Sequence, residues 1–331
     1  MAAPPAMNAA YVTARGPAES VRVGTLPMPT VGPTDVLVAV ETVVVNPVDT
    51  YVRSGQFRTA VPLPFVVGRD LVGTVVEAGS AASPFGPRER VWCNSLGHDG
   101  RQGSFAEYAA VPADRLYRLP AGVDPETAVA VAHPAATAYL GWFVHARLRP
   151  GETVYVGGGA GNVGTAAIQM ARLAGARVLA SARPGAHDAC RAAGADVVVD
   201  YRDADLGERL VEAASAGVDV FWDTSGTNDF QLAERVVATG GRVLVTAATA
   251  AESTVPVRAF YTRDIAVLGF VISRATVSDL ADAASLINRM LADDRLTTVI
   301  VDRLPLDETA AAHQRIEAGQ VSGRLLLHPW S

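Results

Sequence analysis

VYVGGGAGNVGTAAIQMARLAGARVLASARPG, from Val154 to Gly185, is the stretch on which the reading of this chain turns. Within it Gly159-Ala160-Gly161-Asn162-Val163-Gly164 is an unbroken GxGxxG. An apolar run, VYVG, stands before it and a small-residue stretch of helical spacing, TAAIQMARLAG, follows it. That context separates a dinucleotide cradle from an ordinary flexible turn. In such a cradle the first glycine makes the tight turn, the second lets backbone approach a pyrophosphate, and the third lets helix and strand pack closely. The N–H groups at the helix start, near Asn162 and Val163, then meet phosphate charge with the helix dipole in the favourable sense.

The second apolar run, RVLAS, closes about 20 residues after the first glycine, where an NAD site places an acid on the ribose 2′-hydroxyl. Here the text is Ser181-Ala182-Arg183, with no carboxylate before Asp188. A hydroxyl beside a permanently charged fork of donors suits a 2′-phosphate, so the residues point to NADP(H). The competing reading of Arg183 is a solvated loop arginine.

Outward from this stretch, six short apolar segments recur: ETVYVG, ARVLAS, DVVVD, VDVFWD, GRVLVT and IAVLGF. Alanine-rich stretches at helical spacing, TAAIQMARLAG and HDACRAAG among them, lie between several of these segments. The alternation predicts a doubly wound parallel sheet of six strands with right-handed crossovers. On the N-terminal side, Asn8 to about Leu119 is a series of valine-rich runs broken by Gly, Pro and Asp, which predicts a β-rich domain. Asp124 and Pro125 form an N-cap and N1 pair for a helix between the two styles. On the C-terminal side the pattern predicts a helix near Val277 to Leu291 and a strand near Thr297 to Val301. A helix near Leu306 to Ala318 and a last strand, GRLLLHP, follow. No repeat of 20 to 50 residues and no low-complexity segment is present.

A chain of 331 residues suggests about two domains. With 28 basic against 34 acidic side chains, it offers no general attraction for nucleic acid or an anionic membrane. Cys93 and Cys190 belong to no CxxC or Cys/His cluster, and ordinary thiols in a reducing compartment are expected. The opening MAAPPAMNAAYVTARG has no basic stretch leading into an apolar one, and no apolar run approaches the roughly 20 residues of a spanning helix. The expectation is a soluble, cytoplasmic protein.

Taken in order, NPVDTYVRSG (46–55), PFVVGRDLVGTVVEAGS (64–80), GSFAEYAAVPADRLYRLP (103–120), the glycine fingerprint with Gln169 and Arg172 downstream, GADVVVDYR, GVDVFWDTSG, GGRVLVTAA and GRLLLHP give a resemblance over nearly the whole length. The chain resembles the medium-chain dehydrogenase/reductase superfamily, and within it the zinc-free quinone oxidoreductase (zeta-crystallin-like) branch. Tyr155 departs from that pattern, where leucine is common, and so does Asn162, where a second adjacent glycine is common; Asn tolerates left-handed backbone better than most residues. The resemblance implies a Rossmann dinucleotide-binding domain, 122–271, inserted in a GroES-like catalytic domain of 1–121 plus 272–331, with the active site in the cleft between them.

Asn46 and Arg69 stand where zinc-dependent relatives carry cysteine and histidine, and the structural-zinc lobe is missing, so no metal is expected. What the likeness implies is hydride transfer to an electron-poor small molecule, a quinone or an α,β-unsaturated carbonyl. It sets Tyr51 near the nicotinamide, Ala160 to Val163 on the pyrophosphate, and Ser181, Arg183 and Tyr201 at the adenosine phosphate end. Thr137, Thr227, the strand end Thr246-Ala247 through Thr249, and Phe270-Val271-Ile272 match positions lining the ribose and nicotinamide. Tyr51 or Asn46 is the candidate donor to a developing enolate, Asp49 a structural acceptor, and His133 a histidine near the domain junction. The likeness further implies a homodimer paired through the IAVLGF strand. Two other functions fit the same residues: a dedicated biosynthetic enoyl reductase, and a nucleotide- or RNA-binding crystallin-like protein without turnover.

Overall fold

The computed structural model describes residues 4–82 and 85–331. The chain divides into two units, residues 1–133 with 280–331 and residues 134–279, so that the second interrupts the first in sequence. The limits expected from the sequence, 121/122 and 271/272, lie ahead of these. Helices run across both divisions.

In the first unit the opening elements are β1 (Ala6–Val12), β2 (Arg22–Pro27), β3 (Asp35–Val44), α1 (Pro47–Ser54), β4 (Phe65–Val66), β5 (Asp70–Ala78), β6 (Arg90–Cys93), β7 (Tyr108–Pro112) and β8 (Tyr117–Arg118). Helix α2 (Pro125–Tyr139) follows and continues into a π-helical segment, Leu140–His145. Asp124 caps α2 as the sequence indicates: its Oδ2 accepts from Thr127 N at 2.9 Å and from Thr127 Oγ1 at 2.7 Å.

The inserted unit alternates strand and helix. It contains β9 (Thr153–Gly157), α3 (Asn162–Leu173), β10 (Arg177–Ala182), α4 (His187–Ala193), β11 (Val197–Asp200), α5 (Leu206–Ala213), β12 (Val218–Asp223), α6 (Phe230–Val236), β13 (Val237–Val245), α7 (Val257–Tyr261) and β14 (Ala266–Gly269). All six predicted strands form. Their order is β11-β10-β9-β12-β13-β14 with every neighbouring pair parallel, which is the doubly wound sheet with its reversal point at β9. Leu179, Tyr155, Phe221 and Val243 are direct partners across four strands and share one buried face.

The chain then returns to the first unit with α8 (Val277–Ala292), β15 (Ile300–Pro305), α9 (Thr309–Glu317) and β16 (Arg324–His328). These complete a seven-stranded sheet of order β15-β16-β3-β5-β6-β8, with β7 also paired to β3. Val36, Val38, Val40, Leu71, Val75, Leu325 and Leu327 pack in its core. β15 starts later than the 297–301 expected from the sequence. It pairs with β16 from Ile300 opposite Arg324, so the partner's first residue sets its start rather than local apolar content. The helix expected from Leu306 opens as a 3-10 turn, Leu306–Glu308, before α9. Among the described residues no helix is long and apolar enough to cross a membrane.

Candidate functional site

In a parallel sheet, ligands bind beyond the carboxyl ends of the strands, at the point where the strand order reverses. β9 is that point, and the loop after it is the glycine run. Gly158 carries the left-handed conformation of the turn, with φ +67°. Gly159 is packed instead: a Cβ there would lie 3.1 Å from both Ala180 Cβ and Ile168 Cδ1. Gly161 is the N-cap of α3, with φ −76° and ψ 168°. At Gly164 a Cβ would lie 2.2 Å from the Gly158 carbonyl oxygen. The tight turn therefore falls one residue ahead of the fingerprint, and close helix–strand packing falls on Gly159 and Gly164. Asn162 sits at the first helical position and is not among the residues with positive φ, so its left-handed tolerance is not drawn upon.

Gly161 has no side chain to cap α3, and the first-turn N–H groups at Asn162 and Val163 have no intrahelical partner. A loop kept tight at Gly159 and Gly161 and closed to a Cβ at Gly164, ending at the first N–H groups of a helix, fits the pyrophosphate of a dinucleotide. Ala160 lies between the two glycines that shape this loop.

The other expected cofactor residues of this unit follow the carboxyl ends of neighbouring strands. After β10, Arg183 is exposed and opens a 3-10 turn, Pro184–Ala186. After β11, Tyr201 is exposed, with the Arg202 guanidinium 5.6 Å over its ring. Arg202 also pairs with Asp200, and backbone and side-chain hydrogen bonds from Arg202 hold that carboxyl below its ordinary range. After β12, the Asp223 carboxylate organises the loop that carries Thr227. Its Oδ1 accepts from Ser225 N and Ser225 Oγ, its Oδ2 accepts from Asn228 N, and Thr227 Oγ1 lies 3.1 Å from Ser225 Oγ. Asn228 Nδ2 donates to the Ala247 carbonyl at 2.7 Å, which ties this loop to the end of β13. Thr246 Oγ1 accepts from the Trp222 indole. After β14, Phe270 stacks on His145 with centroids 4.4 Å apart. Val271 leads into a 3-10 turn at Ile272, whose side chain is buried. Thr137 is buried on α2.

Ser181 does not join this edge. Its side chain is 1% exposed and its Oγ lies 2.8 Å from Tyr155 Oη. Ser181 is two residues beyond Leu179 on the same strand and so shares the core-facing side. Its hydroxyl points into the core of the inserted unit. Asp223, Asn228 and Gly158 were not read as site residues. The only sign of them was an acid closing VDVFWD and one glycine more than the fingerprint needs.

In the first unit, Asn46 precedes α1 and is 1% exposed. Its backbone N donates to Asp49 Oδ2 at 2.8 Å, its Nδ2 donates to Asp70 Oδ2 at 2.8 Å, and its Oδ1 accepts from Arg324 Nη2 at 2.6 Å. The amide is thus held on both sides by buried charges and presents nothing to a substrate. Burial first, and then the neighbouring Asp70, push the Asp49 carboxyl up to about 7. Burial also draws Arg324 down to about 10, against the pull of Asp70 and Asp49. His133 Nδ1 lies 3.7 Å from Asp70 Oδ1, and burial lowers its pKa, which favours the neutral ring.

Arg69 is likewise buried. A guanidinium has no lone pair for a cation, and the Asn46 amide oxygen already accepts from Arg324, so the two residues do not fit a zinc ion. Tyr51, on α1, is half-exposed and lines a cavity of about 440 Å³ with Pro47, Thr50, Gln56, Ile316 and Glu317.

Two family models match the chain: an alcohol dehydrogenase GroES-like domain over residues 32–121 and a zinc-binding dehydrogenase over residues 162–289. A quinone oxidoreductase of Mus musculus is 30% identical over 299 residues, 88% of each chain. An NADPH-dependent alkenal/one oxidoreductase of Arabidopsis thaliana chloroplasts is 28% identical, over 91% of this chain and 74% of its own. Among solved structures, an NAD-dependent alcohol dehydrogenase superposes with a TM-score of 0.88 at 30% identity, covering 97% of this chain and 99% of its own.

Proposed function

The chain belongs to the medium-chain dehydrogenase/reductase superfamily, in its zinc-free quinone oxidoreductase branch, and from that premise we propose that this oxidoreductase uses NADPH to reduce a quinone or an α,β-unsaturated carbonyl without a metal. The observation that carries the reading is the cradle after β9: a glycine loop closed to a Cβ at Gly164, ending at helix N–H groups, with Arg183 in the place of an acid after β10. The names of the mouse and plant relatives agree with such an acceptor, and the plant relative's name with NADPH. The NAD-dependent structural neighbour leaves the choice of dinucleotide to residues. Here Arg183 and Tyr201, without Ser181, supply the contacts for a 2′-phosphate.

When bound, the nicotinamide supplies the hydride. The chain's part is to bind and orient. Ala160 and the N–H groups of Asn162 and Val163 hold the pyrophosphate, and Thr137, Thr227, Thr246, Ala247 and Phe270 to Ile272 line the ribose and nicotinamide end. The Tyr51 phenol donates to the oxygen that gains charge as the acceptor is reduced. With its amide committed to Asp70 and Arg324, Asn46 serves this scheme as a support for α1 rather than as a donor.

Assays of NADPH oxidation with 1,2- and 1,4-quinones and with alkenals test the reading, and protein that binds NADPH yet reduces none of them overturns it. Arg183→Ala should weaken NADPH by about 1–3 kcal/mol, the scale of a charge-assisted hydrogen bond, and NADH little. Equal losses for both dinucleotides would release Arg183 from this role. The same reading includes a homodimer, because β14 is an edge strand of the sheet with Val267 exposed on it. Light scattering that finds monomer removes that part alone.

A further inference from the structure

Trp222, next to the last residue of β12, is fully buried. Its ring meets Trp142 edge-on, with centroids 4.9 Å apart and planes at 87°, and lies 5.9 Å from Phe270. Gly141, in the π-helical segment, makes room for it, since a Cβ there would lie 2.5 Å from the indole. Trp142 is pinned in turn, its indole N–H donating to the Ala167 carbonyl at 2.9 Å. Packing therefore fixes the plane of Trp222 and the direction of its one polar atom. That atom, Nε1, donates to Thr246 Oγ1 at 3.1 Å.

The polarity of this bond has a consequence. An indole N–H only donates, whereas a hydroxyl has one hydrogen and two lone pairs. Trp222 can therefore occupy a lone pair of Thr246 but cannot receive its proton. Among the described residues Thr246 Oγ1 has no other hydrogen bond, so its hydrogen is left for an acceptor outside the protein. Thr246 directly follows the last residue of β13 and is half-buried, at the sheet edge where ligands bind.

We infer that Trp222 is a positioning residue for the nicotinamide end of the cofactor: its indole N–H holds the Thr246 hydroxyl as a donor toward an acceptor oxygen of the dinucleotide's carboxamide or ribose. The aromatic cluster gives the arrangement its rigidity, since Phe270, which follows β14, is stacked on His145 and lies beside Trp222. This inference rests on the dinucleotide reading above.

The test is a double-mutant cycle on the full chain, read by NADPH titration, by KM for NADPH against kcat at saturation, and by thermal unfolding. Trp222→Phe keeps a ring in the packing and removes the donor together with part of the indole's volume, whose cost the unfolding measurement reads. Thr246→Val removes the hydroxyl at nearly the same volume, and Thr246→Ser keeps it. We expect Trp222→Phe and Thr246→Val each to raise the NADPH Kd and KM about three- to tenfold, the effect of one net hydrogen bond, with kcat changed by less than twofold. The double variant should bind no worse than Thr246→Val alone, and Thr246→Ser should bind as the parent does. Losses that multiply in the double variant, or an unchanged Kd in Trp222→Phe, overturn the inference while leaving the cofactor reading intact. A parent protein that binds neither NADPH nor NADH overturns both. Should Trp222→Phe unfold, β-benzothienylalanine at position 222, isosteric and lacking the N–H, carries the same comparison.

Discussion

The two polar regions of this protein are made in opposite ways. The loop after β9 works by lacking side chains: its shape is set by Gly158, Gly159, Gly161 and Gly164, and it offers backbone N–H groups to a ligand. The region around Asn46 works by burying side chains, with Asn46, Asp49, Asp70 and Arg324 all under 5% exposed and bonded to one another. The first leaves donors for something else, whereas the second pairs most of its polar atoms internally, Arg324 Nε excepted. A buried ionic group is costly to assemble and costlier to break, because removing one partner strands a charge in a low-dielectric interior. A backbone cradle has no charge to strand, and its sensitivity is steric.

The largest effect is therefore expected in the Asn46 region. Arg324→Met should cost about 3–5 kcal/mol of unfolding free energy in denaturant titration, the scale of an uncompensated buried charge. Adding Asp49→Asn should return part of that loss, because burial and Asp70 already push the Asp49 carboxyl up to about 7. A loss below about 1 kcal/mol, or no recovery in the double variant, would mean that water reaches the group and that the contrast is overdrawn.

The cradle should respond by a smaller amount and in a different observable. Gly164→Ala places a Cβ 2.2 Å from a backbone oxygen, which cannot yield as a side-chain tip can. About 1–3 kcal/mol of stability should go, as in overpacked cores, together with most NADPH affinity as the first turn of α3 shifts. Gly185→Ala, where a Cβ would meet nothing within 4 Å, is the matched control and should change neither. Normal NADPH binding by Gly164→Ala would show that the loop is not the phosphate site.

The same contrast explains what could be read in the sequence. The six strands of the inserted unit and the cradle were legible because their signals are local: each strand is a short apolar run, and the glycines lie within a few residues of the helix they open. β15 was misplaced because its start depends on Arg324 in a strand more than 20 residues later. Of the Asn46 group only Asp49 was legible, as a structural acceptor, since the members at 46, 49, 70 and 324 converge only through the start of α1, β5 and β16. Asn46 read as a candidate donor to a developing enolate, and nothing in NPVD tells that Asp70 and Arg324 occupy both ends of its amide. Ser181 failed for a simpler reason. Ser181 lies within β10, where alternation turns it to the core, whereas Arg183 lies beyond the strand's last residue, Ala182, so a hydroxyl close to Arg183 in sequence can still point inward.

That last point gives the smallest prediction. Tyr155 and Ser181 form a buried hydroxyl pair, 2.8 Å apart, between β9 and β10, with the Tyr155 ring 4.8 Å from Phe221. Burial pushes the Tyr155 phenol up, so it stays protonated and can donate to the serine. Tyr155→Phe should cost about 1 kcal/mol, one net hydrogen bond, and Ser181→Ala about 1–3 kcal/mol, because the larger phenol is then left without a partner. The double variant should lie close to Tyr155→Phe, since an apolar pair leaves nothing unsatisfied. None of the three should alter the ratio of NADPH to NADH affinity. A selective loss of NADPH binding in Ser181→Ala would show that the serine turns outward when the dinucleotide binds. The 2′-phosphate would then be read by a hydroxyl and a guanidinium together, and the line between a core that consumes its donors and an edge that offers them would run through a single residue.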